Sequence, residues 1–415
     1  MALKNTQWFL GCGLVCALLF AALLLVRTGI VSLGQGPGFA GGWRTASVLE
    51  KSERWMAIRQ EGRRIGTAHT RIEPLAHGYR LSETVRMRLN TMGLVQDLAL
   101  DSRGWLNPDL TLERFAFTLQ SGPFTYDVRG QMVDDHLFCR VGTGEDERTL
   151  RLALDGPLYL PSAIFPALTQ AAPAPGEQRV FVIFDPATMA RESITATLAG
   201  RETITLAGGE VNAWKVRLNF KGLVQEAWLD DAGQVLMEKG LLGIRQERIS
   251  REEALAGEPV AGGDLTRVAA VKPDRALGHP GALSGLTLQL TGVDLARYSL
   301  HGGRQYLEGD RLTVVREPLS DLPERLPRQA IPETAAVLLA PSPFVQSDHP
   351  AIQTLTAGLI DPDVAPLANL QRLVDWMQAN ITRRPVLSVP NALGTLQNRM
   401  GDCNEHAVLL AALAR

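Results

Sequence analysis

Across residues 47–255 apolar and charged side chains take turns at a period of two, as in Trp55-Met56-Ala57-Ile58-Arg59 and Trp214-Lys215-Val216-Arg217-Leu218-Asn219-Phe220. The longest such run is Tyr79-Arg80-Leu81-Ser82-Glu83-Thr84-Val85-Arg86-Met87-Arg88-Leu89. A helix repeats every 3.6 residues and would scatter these side chains around its axis, whereas a strand sends them to opposite faces. The pattern therefore predicts antiparallel strands with one face on a core and one in water. Trp105, Phe115, Phe117, Phe124 and Tyr126 alternate in the same way and are assigned to the core rather than to a ligand groove.

An internal echo refines this picture. Gly93-Leu94-Val95-Gln96-Asp97, with Leu100-Asp101 and Gly104, recurs without a gap as Gly222-Leu223-Val224-Gln225-Glu226, with Leu229-Asp230 and Gly233. Each copy reads as a strand, an Asp-x-x-Gly turn and a second strand, since Asp bonds its own backbone and Gly accepts a positive φ. Two copies suggest two related halves of a curved sheet or open barrel. Pro157, Pro161, Pro166, Pro173 and Pro175 mark irregular structure joining the halves, with a short helix near Ser162 to Thr169.

The flanks differ. Trp8 to Val26 is nineteen residues without a charge, preceded by Lys4 and followed by Arg27. As a helix it would span about 28 Å, close to the thickness of a bilayer's hydrocarbon core. It is expected to be an uncleaved transmembrane signal anchor, with residues 1–7 as a cytoplasmic tail and the Gly-rich segment 27–46 as a flexible linker. After the β domain, 256–281 reads as a second linker and 282–345 as a β-rich segment with turn signals at Thr291-Gly292, His301-Gly302-Gly303 and Glu308-Gly309-Asp310. His301 and His349 stand alone in turns or loops and read as solvated polar residues. Helices then take over. Leu367, Leu370, Val374, Met377 and Ile381 form one apolar stripe on a helix from about Pro366 to Asn380, and Asn391 to Met400 is a shorter one.

A length of 415 residues leaves room for two to three domains. With 21% charged residues and a net charge of −2, no nucleic-acid partner is expected. Of four cysteines, Cys12 and Cys16 fall in the apolar segment and Cys139 and Cys403 in the body. That is too few for a disulfide scaffold; nothing has metal-ligand spacing, and neither metal nor cofactor is expected.

The chemistry concentrates in Gly401-Asp402-Cys403-Asn404-Glu405-His406-Ala407 and the apolar run that follows to Arg415. Asp402 is a good N-cap, Glu405 suits the first turn, and Cys403 meets the positive end of a buried helix. Such a position raises the thiolate fraction of a reachable thiol. On spacing alone, a nucleophile and a small buried cysteine are equally good readings. This segment resembles the nucleophile segment of the transglutaminase-like superfamily, which has a papain-like core. The similarity extends upstream through Leu373-Val374-Asp375-Trp376-Met377, Asn380-Ile381 and Pro390-Asn391-Ala392-Leu393 to Leu396.

The resemblance implies that Cys403 attacks an amide carbonyl of a peptide or protein and forms a thioester, with hydrolysis preferred over cross-linking. It places the catalytic His and Asp on strands well downstream, beyond Arg415. His406 reads as a polar residue at the helix edge and not as the triad base. The chain is therefore expected to be the amino-terminal part of a membrane-anchored cysteine enzyme, inactive by itself, with residues 346–415 opening the transglutaminase-like domain. The overall expectation is an α+β protein: a transmembrane helix, a large antiparallel β domain, a smaller β segment and that helical start. Its expected place is the inner membrane, crossed once by residues 8–26, with the body in the periplasm or outside the cell. The alternative is a non-catalytic envelope protein whose β domain binds a protein, peptide or lipid.

Overall fold

The alternating segments pair into one sheet. The computed structural model describes residues 49–142, 146–317, 336 and 338–415. Eight strands come first: β1 (Ser52–Gln60), β2 (Arg63–Pro74), β3 (Tyr79–Thr91), β4 (Leu94–Leu106), β5 (Leu112–Ser121), β6 (Phe124–Val133), β7 (His136–Val141) and β8 (Arg148–Ala153). Six more follow: β9 (Gln178–Asp185), β10 (Ala190–Leu206), β11 (Gly209–Phe220), β12 (Leu223–Leu229), β13 (Val235–Lys239) and β14 (Ile244–Ile249). Their order is β8-β7-β6-β5-β4-β3-β2-β1-β14-β13-β12-β11-β10-β9, a 14-stranded sheet of two meanders. The meanders join where β1 pairs antiparallel with β14, from Trp55 opposite Ile249 to Gln60 opposite Ile244.

One face of the sheet carries the core. On β3 the buried positions are Tyr79, Leu81, Glu83, Val85, Met87, Leu89 and Thr91, in strict alternation. The segment between β8 and β9 fills the hollow of that face. It holds a 3-10 turn at Pro161–Ala163 and α1 (Ile164–Ala171), with Leu158, Leu160, Ile164, Phe165 and Leu168 all buried. The fit is close enough to require glycine: a Cβ on Gly104 of β4 would overlap Leu160 Cδ1, and one on Gly233 would overlap the Thr169 side chain.

The two copies of the sequence echo fold alike only at their starts. Met92-Gly93 and Lys221-Gly222 both have positive φ, as two-residue hairpin turns require. Beyond that they part. Asp230 Oδ1 accepts hydrogen bonds from the amides of Ala232 and Gln234 in the turn after β12, whereas Asp101 to Gly104 run straight through β4. Gly104 serves there to admit Leu160 and makes no turn.

Downstream lie two short helices, α2 (Arg251–Leu255) and α3 (Leu265–Ala269), and a three-stranded sheet of β15 (Gly285–Gln289), β16 (Gln305–Glu308) and β17 (Arg311–Val315). The carboxy-terminal part holds α4 (Pro350–Leu359), α5 (Pro366–Asn380), β18 (Thr382–Arg383), α6 (Ala392–Asn398), β19 (Met400–Gly401) and α7 (Cys403–Ala414). Ile352, Leu373, Met377, Ile381, Leu396, Leu409 and Leu413 give these helices a small core of their own. The cluster is docked on the large sheet. Leu387, Val389 and Phe344 join the main core, Gln96 donates to the Pro385 carbonyl at 3.0 Å, and Arg148 pairs with Asp348.

The α+β class is thereby corrected. The described chain is dominated by one large antiparallel sheet, and no helical transglutaminase-like domain is evident. Among the described residues the carboxy-terminal cluster contains only the two-residue parallel ladder of β18 and β19, too little sheet to back a helix with the length of α7. The anchor expected over residues 8–26, the tail 1–7 and the linker 27–46 lie outside the described residues. Among the described residues no helix is long and apolar enough to cross a membrane, so single-pass inner-membrane placement with a periplasmic body is not supported.

Candidate functional site

Cys403 is the first residue of α7, and its neighbours hold that helix end in place. Asp402, the N-cap, accepts a hydrogen bond from the Asn404 amide at 3.0 Å, while Glu405 Oε2 accepts one from the Asp402 amide at 3.1 Å. The Glu405 amide also donates to the Asp402 side chain, which with the Asp402–Glu405 bond makes a reciprocal capping box and satisfies donors that a helix leaves open. Gly401 is needed for it, because a Cβ there would overlap the Glu405 side chain. The backbone amide of Arg384 donates to the Gly401 carbonyl at 3.0 Å, which ties the turn before the cysteine to β18.

Glu405 lies inward, only 2% exposed, and accepts a hydrogen bond from Ser388 Oγ at 2.6 Å. Burial, with the neighbouring Asp402 carboxylate, pushes its carboxyl up to about 8. The shift favours the neutral carboxyl over the carboxylate. His406 Nδ1 donates to the Asp402 carbonyl at 2.6 Å, which leaves Nε2 as the ring's acceptor when neutral; that atom is buried and without a partner. Burial lowers the His406 pKa and favours that neutral form, although its bond to Asp402 opposes the shift.

Cys403 itself is half-buried, unlike Cys139, which is fully enclosed in the sheet's core and whose thiol is pushed up to about 12 by burial. Two thiols in one chain thus have contrasting surroundings. A cleft of about 290 Å³ between the sheet and the helical cluster is lined by Tyr126, Asp127, Ser388, Asn391 and Asn398 among others. Cys403 is not part of its wall. Ser388 links the two, with its side chain on Glu405 and its position at the cleft.

The isolated histidines have structural partners. His349 caps α4 by accepting from the Ala351 amide and reaches Asp146 at 3.0 Å; His301 accepts from the Leu307 amide at 3.3 Å. Among the described residues no group of three His, Cys, Asp or Glu side chains could hold a metal ion.

A second polar cluster was missed by sequence reasoning. Glu83 of β3 and Glu238 of β13, both buried, and the half-buried Arg54 of β1 lie around the junction of the two meanders, on the core face. Burial pushes Glu238 up to about 7 against the opposing pull of Arg54, with Glu83 adding to the rise. Arg54 is lowered from its ordinary value by the same burial, which Glu238 and Glu83 oppose. The signal for Glu83 was present, since it falls in phase with Leu81 and Val85.

No family model matches the chain, and no curated protein matches it. It is similar to a solved β-barrel-like protein of the domain of unknown function DUF1849 from Brucella abortus, with 12% identity, a TM-score of 0.37, and coverage of 48% of this chain and 96% of that one. It is also similar to a DUF1089 family protein from Pseudomonas aeruginosa, with 15% identity, a TM-score of 0.26, and coverage of 49% and 95%. Likenesses at these scores say nothing about activity.

Proposed function

We propose that Cys403 is a thiol nucleophile that takes the acyl group from an amide of a peptide or protein substrate. The observation that carries this reading is the placement of a half-buried cysteine on the first residue of α7, within a segment that resembles the transglutaminase-like nucleophile turn. The thiolate adds to the carbonyl carbon, the C–N bond breaks, and the amine leaves with a proton. Water or an amine then attacks the thioester and releases the thiol, with hydrolysis favoured. The buried capping box fixes where the sulfur stands, and burial beside Asp402 disfavours a second full charge on Glu405. The reading assigns the nucleophile alone to these residues, since the resemblance puts base and acid elsewhere.

The test uses an activated ester of an N-acylated glutamate, whose leaving group needs no protonation and so reports on the nucleophile itself. Intact-mass analysis is expected to find one acyl adduct on Cys403, with Cys139 unmodified while the protein is folded. A Cys403→Ala variant that melts like the parent should gain none. An equal adduct in that variant, or no adduct in the parent, would remove the reading.

A further inference from the structure

The wet face of the large sheet carries an ordered row of arginines. Cross-strand pairing places Arg71 of β2 opposite Ser82 of β3, and Ser82 opposite Arg103 of β4. Arg103 faces Ala116 of β5, Ala116 faces Arg129 of β6, and Arg129 faces Arg140 of β7. Neighbouring strands stand about 4.8 Å apart, so the first three arginines repeat at about 10 Å, with a small residue between each pair. At its β2 end the row enters a groove of about 360 Å³ lined by Arg71, Arg80, Arg103 and Trp105, with Glu73 and Asp101 in the same wall.

The row is not neutralised from within. Arg71 has Glu53 at 3.2 Å, and Arg140 has Glu147 only at 3.8 Å. Among the described residues no carboxylate stands within ion-pair distance of Arg103 or Arg129. Arg129 and Arg140 are directly opposed, and like charges in that position weaken a sheet. A fold gains nothing from this pair alone; an anion laid between them would turn repulsion into attraction.

We infer that this row binds a linear acidic glycan bearing a carboxylate on alternate sugars. A guanidinium meets a carboxylate through two parallel hydrogen bonds, and a pyranose in an extended chain advances by about one strand spacing. Alternate sugars therefore bring their carboxylates to successive arginines, while the sugars between them pass over Ser82 and Ala116. Nucleic acid fits less well. Trp105, the aromatic ring lining the groove, is covered by Arg114 at 4.2 Å, so a base entering the groove has no open ring to stack on there. Of the carboxylates beside the row, Glu73 is paired with Arg80 at 2.6 Å and Asp101 with Arg86 at 2.7 Å, so they leave the row's own charge in place.

The test is calorimetric titration of the full chain with hyaluronan oligosaccharides, which carry one carboxylate per disaccharide, beside neutral dextran oligosaccharides, a thymidine oligonucleotide and phosphatidylglycerol vesicles. Binding is expected for hyaluronan alone and should weaken with added salt. Arg103→Gln should weaken it roughly ten-fold, as loss of one charge-assisted pair implies, and Arg129→Gln with Arg140→Gln further. The double variant removes a repulsion, so its melting temperature should hold or rise. Equal or tighter binding of the oligonucleotide or the vesicles, no binding of hyaluronan, or unchanged binding by folded variants would overturn the inference.

Discussion

Glu238 offers a quantitative test of how the two meanders are joined. Its carboxyl is raised from 4.5 to about 7, first by burial and then by Glu83, with Arg54 pulling the other way. Between those two pH values the folded protein holds a proton that the unfolded chain has released. Stability from this group is therefore complete below pH 4.5, falls as pH rises, and levels off above pH 7. The gap corresponds to about 3 kcal/mol. Glu238→Gln keeps the side chain's size and removes the titration. The urea midpoint, followed by the fluorescence of the sheet's tryptophans, should be measured for both proteins across this range. The wild type should lose about 3 kcal/mol relative to the variant as pH rises. Glu405, which is raised in the same direction, titrates in both proteins and cancels in the difference. The fixed cost of leaving Arg54 with one carboxylate fewer shifts the curves apart without changing their slopes. Parallel curves would refute the account of a buried, proton-holding Glu238.

Two further predictions address packing. Gly104→Ala should destabilise by about 2 kcal/mol, because the added Cβ collides with Leu160; combined with Leu160→Ala the two costs should fall short of their sum in thermal melts. Asp264 accepts from the amides of Met92, Gly93 and Thr266 and so clips α3 to the β3–β4 turn; Asp264→Ala should cost about 2 kcal/mol and speed hydrogen exchange at Met92 and Gly93.

What could be read in advance follows from the range of the forces involved. The period-two runs of 79–89 and 214–220 are local, and both are strands. The helical spacing of 366–380 is equally local, and α5 has those bounds. The short helix anticipated near 162–169 is α1 with its preceding turn, but nothing in its sequence said that it would fill the hollow of the sheet. The Asp-x-x-Gly spacing misled at 101–104 because a glycine serves turns and tight approaches alike, and only a distant Leu160 decides which. At the candidate site, Asp402 as cap and Glu405 in the first turn were legible as helix-end chemistry. Ser388 and the raised pKa of Glu405 were not, since both depend on a segment folding back from outside the motif. The arginine row is the extreme case: its members are scattered from 71 to 140 and meet only through strand register.

The pairing of β1 with β14 also dictates a timetable. Arg59 meets Glu247 across 188 residues of chain, so when β1 to β8 leave the ribosome one edge of β1 has nothing to bond. The hollow that receives α1 is then only half walled. Until β14 is synthesised the nascent chain presents a long open edge beside an uncovered apolar face, the combination that recruits strands from other molecules. Closure of this one ladder ends that exposure, which makes the β1–β14 junction the step at which folding and aggregation part ways.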